Sequence, residues 1–63
     1  MNEIKTYNHS RKGKMIGKII KDNGEWVDFE FSEDQYIRYS NGNEFVRKGQ
    51  VMTVRKVFLT EIK

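Results

Sequence analysis

The chain has 63 residues, eight of them aromatic (one Trp, three Tyr, four Phe), with 33% charged residues and a formal net charge of +3. A domain of this length buries only about 60% of the surface its unfolded chain exposes, and without cysteine it has no disulfide or thiolate metal site to reinforce it. One histidine, His9, in a polar segment, scattered carboxylates and isolated glycines offer no nucleophile–base pair and no phosphate-cradling loop, which points away from an enzyme and from any cofactor.

Residues 1–12, MNEIKTYNHSRK, show no sustained periodicity, and beyond Met1 only Ile4 and Tyr7 are apolar. They read as a flexible basic N-terminal arm, with an added edge strand near Ile4–Tyr7 as the variant of that reading. Residues 13–63 then form a single small domain. No apolar run suits a signal peptide, and nothing approaches the ~20 apolar residues of a membrane span. The expectation is a cytoplasmic protein with no membrane contact. Absence of cysteine fits a reducing compartment.

Residues 14–21, KMIGKIIK, are ambiguous. Met15, Ile16, Ile19 and Ile20 have helical spacing, and RKGKMIGKIIK as a helix would be cationic and amphipathic enough for a membrane surface. Gly13 and Gly17 oppose that, since each costs about 1 kcal/mol against Ala in a helix interior. Asp22-Asn23-Gly24 is a tight-turn signal leading into a strand. A strand over 14–21 is therefore expected, with Gly17 marking a bulge or bend. In EWVDFEF, residues 25–31, Val27, Phe29 and Phe31 alternate with Trp26, Asp28 and Glu30. This predicts a half-buried strand with the first set facing the core, paired with 14–21 as a hairpin.

In SEDQYIRY, residues 32–39, Ser32 with Gln35 three positions on resembles a capping box, and Glu33 and Asp34 suit the positive end of a helix dipole. One or two helical turns are preferred there, ending at Asn41-Gly42; a strand over Gln35–Tyr39 is the rival. Residues 43–48 read as a short strand and Gly49-Gln50 as a turn. In residues 50–62, QVMTVRKVFLTEI, the apolar residues split between two parities. A bulge or sharp bend near Arg55-Lys56 reconciles them.

Four to five short strands with tight turns and one short helical turn make a mostly-β protein. The layout resembles small SH3-like barrels of the KOW or Tudor type, partly open, in architecture and not in motif. Closure hides the edges that a small sheet otherwise exposes. The Lys-, Ile- and Asn-rich usage is of the kind an AT-rich bacterial or phage genome produces.

Charge is blocked along the chain. Residues 1–24 carry six cations against two carboxylates (+4), residues 25–46 carry Arg38 against six carboxylates (−5), and residues 47–63 carry five cations against one carboxylate (+4). If the first and last strands are neighbours, the basic ends merge into one patch. Arg11 lies near it, and Lys12, Lys14, Lys18, Arg47, Lys48, Arg55 and Lys56 are the residues expected to hold phosphates. The favoured function is a non-enzymatic accessory or regulatory module that binds nucleic acid, DNA or RNA. The alternative is a protein-binding module, such as a small inhibitor or adaptor of a larger enzyme. It would use Trp26, Asp28, Glu30, Tyr36 and Tyr39, because aromatics anchor protein interfaces and carboxylates beside Trp26 disfavour phosphates.

Overall fold

The computed structural model describes residues 3–62, which form seven strands and one 3₁₀ turn. In chain order these are β1 (Lys5–His9), β2 (Gly13–Asp22), β3 (Trp26–Phe31), β4 (Gln35–Tyr39), β5 (Gly42–Val46), β6 (Val51–Arg55), the turn Lys56–Phe58, and β7 (Leu59–Ile62). Five strands make one sheet in the order β6-β3-β2-β1-β7, and β4 and β5 make a separate two-stranded sheet. The mostly-β class is as expected, though the described residues hold seven strands rather than four or five. All the pairings are antiparallel.

Alternation selects the inner face. Val27, Phe29 and Phe31 are 0%, 0% and 1% exposed, as the period-2 reading of EWVDFEF requires. Met15 from β2, Val54 from β6, and Ile37 and Val46 from the two-stranded sheet complete the buried cluster. The β4–β5 hairpin thus covers the inner face of the larger sheet. Phe29 sits at the centre. Tyr7 meets it edge-on at 5.5 Å and Phe31 at 5.2 Å, in the edge-to-face geometry that ring quadrupoles favour.

The β2–β3 hairpin turns where expected. Gly24 has φ +91°, a conformation that suits a residue without Cβ, and its N–H donates to Asp22 Oδ1 at 2.8 Å. Gly17 has a different role from the expected bulge. The irregularity in β2 lies between Ile19 and Lys21, and Gly17 is in regular register opposite Lys5 and Phe31. A Cβ at Gly17 would collide with the Glu30 backbone carbonyl and stand 2.9 Å from the Phe29 ring. Glycine is required there by a close approach of two strands.

Two expectations are corrected. The N-terminal segment is not simply an arm: the strand variant of that reading holds at Lys5–His9, but the strand is paired with β2 on one side and β7 on the other and so is no edge. Tyr7 and His9 face inward, which gives β1 apolar and aromatic contacts that its sparse periodicity concealed. The short helix over 32–39 is also absent, and the rival strand Gln35–Tyr39 is found. The candidate capping residues have partners elsewhere. Gln35 accepts from the Ile16 N–H at 2.8 Å and donates to the Lys14 carbonyl at 2.8 Å, replacing a missing neighbour along that stretch of β2. The Ser32 N–H donates to the Ile16 carbonyl at 3.0 Å, and Asp34 Oδ1 accepts from the Lys48 N–H at 2.7 Å. The helical turn falls instead at Lys56–Phe58, where the apolar parity of 50–62 switches.

Candidate functional site

The turn at Lys56–Phe58 decides which residues meet. β6 ends opposite Trp26, and β7 begins opposite His9. Only three residues separate the two strands, so the sheet must coil until the start of β3 approaches the β1–β2 hairpin tip. Lys56 anchors the corner: its N–H donates to the Glu25 carbonyl at 2.9 Å, and its Nζ meets Asp22 Oδ2 at 2.8 Å. That ion pair, with the Gly24 N–H, holds the Asp22 carboxyl below its ordinary range.

The hairpin tip is built around His9, which is 3% exposed. Its Nδ1 accepts the backbone N–H groups of Arg11 and Lys12, both at 3.1 Å, while the Ser10 N–H donates to the Phe58 carbonyl at 3.0 Å. The ring also packs on Phe58 at 5.4 Å. A side chain satisfying two successive backbone donors fixes the path of the loop and directs Arg11 and Lys12 outward. On the other side, the Arg38 N–H donates to the Lys12 carbonyl at 2.8 Å, which draws β4 with Arg38 and Tyr39 to the same tip.

The result is a groove made of two adjoining depressions, or lobes, that share Arg11 and Lys12 in their linings. One lobe, about 240 Å³, is lined by His9, Trp26, Val54, Arg55 and Phe58. The other, about 390 Å³, is lined by Arg38, Tyr39 and Ser40. Three cation–aromatic pairs border it: Arg55 over Trp26 at 5.1 Å, Arg11 over Phe58 at 5.4 Å and Lys12 over Tyr39 at 5.1 Å. Trp26 and Tyr39 are 42% and 55% exposed. Among the described residues, no carboxylate forms an ion pair with Arg11, Lys12 or Arg38, whereas Arg55 meets Glu25 at 3.6 Å.

The seven expected phosphate-binding cations are dispersed. Lys12 and Arg55 border the groove, and Lys56 lies at the adjoining corner. Lys18 and Lys48 line a separate depression with Ile4 and Glu30, where Lys18 pairs with Glu30 at 3.6 Å. Lys14 projects from the outer face opposite Asn8, and Arg47 lies over Phe45 at 5.9 Å. The aromatic and acidic set divides as well. Asp28 accepts from the Thr53 hydroxyl at 2.7 Å, Glu30 faces Lys18, and Tyr36 packs on Phe45 at 5.1 Å, away from Tyr39. With Asp28 and Glu30 so engaged, the carboxylates on the face of Trp26 have local partners. Sequence reasoning left Arg38 and Phe58 out of the site. Arg38 is the lone cation of the acidic block, inside a segment read as helix, and Phe58 passes for an ordinary core residue.

Burial pushes the His9 imidazole below its ordinary pKa, and the charges of Lys12 and Arg11 add to that. The unfolded chain therefore binds this proton more readily than the fold. The stabilisation is fully present above the unfolded value of about 6.5 and declines as the pH falls below it. Denaturant midpoints measured between pH 7.5 and 5 are expected to drop for the wild type, with a smaller drop for His9→Asn, which keeps a side-chain acceptor but does not titrate. Equal drops in the two proteins would remove His9 as the origin.

The fold and site together define a small, mostly-β domain with a cationic, aromatic-bordered groove at the sheet corner. The chain matches no protein-family model, no curated protein and no solved structure. No helix among the described residues is long and apolar enough to cross a membrane.

Proposed function

We propose that the protein is a non-enzymatic accessory module that binds nucleic acid through this groove, on an SH3-like, partly open barrel. The barrel reading is supported by the last strand returning beside the first after a single helical turn. The observation that carries the function is the convergence of Arg11, Lys12 and Arg38, none ion-paired among the described residues, on one groove bordered by exposed aromatics. Unneutralised cations around a concave surface attract polyanions, and flat rings beside them favour nucleic acid over an anionic surface that lacks bases.

Phosphate neutralisation by three or four cations predicts that the logarithm of affinity falls with the logarithm of salt at a slope of about −2 to −4. Reversing Arg11 and Arg38 together to Glu should abolish binding, while reversing Lys18 and Lys48 should change it little. No binding to single- or double-stranded DNA or RNA at low salt overturns the proposal. The second reading, a protein partner, is favoured by the Tyr36–Phe45 pair, 67% and 43% exposed on the β4–β5 hairpin. It predicts that Tyr36→Ala removes a partner that the Arg11 and Arg38 reversals leave bound.

A further inference from the structure

The two lobes of the groove differ in chemistry. The lobe at Arg38, Tyr39 and Ser40 has a mixed polar and apolar lining, with Arg11 and Lys12 on its border. The lobe between Trp26 and Phe58 has Val54 and the buried His9 in its lining. A chain of bare phosphates can meet the cations Arg11, Lys12 and Arg55 at this lobe, but gains nothing from the apolar surface between them, which gives an anion no hydrogen bond to replace its hydration. A duplex has little more use for it, since its bases are stacked inside and its surface offers phosphates and groove edges.

We infer that the Trp26–Phe58 lobe seats an unstacked base of a single-stranded nucleic acid whose phosphates run past Arg11, Lys12 and Arg38. The inference rests on the nucleic-acid reading above and names the form of ligand. Its volume of about 240 Å³ is on the scale of one or two bases. Two aromatic rings border the lobe, each with a guanidinium over it: Arg55 on Trp26 and Arg11 on Phe58. A base has a π-face that can stack on either ring, and a guanidinium plane can stack on the base in turn. Every base has such a face, so this seat is tolerant of sequence. Arg11 and Lys12 belong to both lobes, which puts phosphate-binding charge within reach of the sugar–phosphate chain of the seated nucleotide.

Trp26 is the chain's sole tryptophan and reports directly. The probes are a ten-nucleotide mixed-sequence single strand, prepared as DNA and as RNA, the blunt DNA duplex of that sequence, and inorganic polyphosphate. At low salt, a single strand of either type should bind at least ten-fold tighter than the duplex and quench Trp26 emission, and polyphosphate should leave the emission unchanged. Trp26→Ala should weaken single-strand binding about ten-fold or more, as the loss of one base–aromatic stack does, and leave duplex binding as it was. A thermal melt shows whether that variant is folded. If it is not, quenching of the wild-type protein still decides the question. Equal affinity for strand and duplex without quenching overturns the base seat while leaving the charge-based nucleic-acid reading in place. Absence of binding to all the nucleic acids overturns both.

Discussion

Replacing Phe29 with alanine is expected to destabilise the domain by about 3–5 kcal/mol, the range for truncating a buried aromatic side chain. The ring is 0% exposed, contacts Tyr7 and Phe31 edge-on, and lies under the β4–β5 hairpin. Its loss removes apolar burial and leaves a cavity, because β-sheet backbone held by ladders on both sides collapses only partly. The total stability of small domains is about 5–15 kcal/mol, with a domain of this length toward the lower end. The variant should therefore be largely unfolded at room temperature. Asp28→Ala, one residue away on the outer face, removes only an exposed bond to the Thr53 hydroxyl and should cost about 1 kcal/mol or less. Urea denaturation of both variants checks the pair. Comparable losses would show that the face of β3 is misassigned.

Gly17→Ala is expected to be nearly as damaging, although it adds a single methyl group. The added carbon would meet the Glu30 carbonyl oxygen, which is backbone, as well as the edge of the Phe29 ring. A flexible side chain could swing away; a ladder carbonyl can move only if β2 and β3 separate. Overpacking of this kind costs about 1–3 kcal/mol and more where backbone must shift. Shortening Phe29 should not rescue it, because the closest atom is not on that side chain. Gly24→Ala is the informative comparison. There the surrounding space is open and only the positive φ is strained, so the cost should be about 1–2 kcal/mol. A Gly17→Ala protein with an unchanged melting temperature would remove the close-approach explanation.

The elements whose partners are close in sequence were legible. Alternation in EWVDFEF assigned Val27, Phe29 and Phe31 to the core, and Asp22-Asn23-Gly24 placed a hairpin, because strand period and turn chemistry are local properties. The parity conflict in residues 50–62 located the bend at Lys56–Phe58 for the same reason. The capping pattern Ser32–Gln35 misled, since its side chains have distant partners in β2 that no local signal reveals. β1 was obscured because its periodicity is weak and its place is set by two neighbours, one of them about fifty residues away in the chain.

The groove is a property of the tertiary structure. The sequence by itself determined a mostly-β chain, a core on one face of β3, and basic ends flanking an acidic middle. Proximity of the first and last strands was foreseeable, yet it merged the basic blocks only in part: Arg11 and Lys12 meet Arg55, while Lys14, Lys18, Arg47 and Lys48 lie elsewhere and several cations are paired with carboxylates. Which cations stay unpaired depends on strand register, and register is fixed by burial of the inner face. Trp26, Arg38 and Phe58 come from three separate segments. They meet around Arg11 and Lys12 because a three-residue turn coils the sheet and one backbone hydrogen bond, from Arg38 to the Lys12 carbonyl, ties β4 to the hairpin tip. Contacts of that range depend on the path of the whole chain, which no window of the sequence contains.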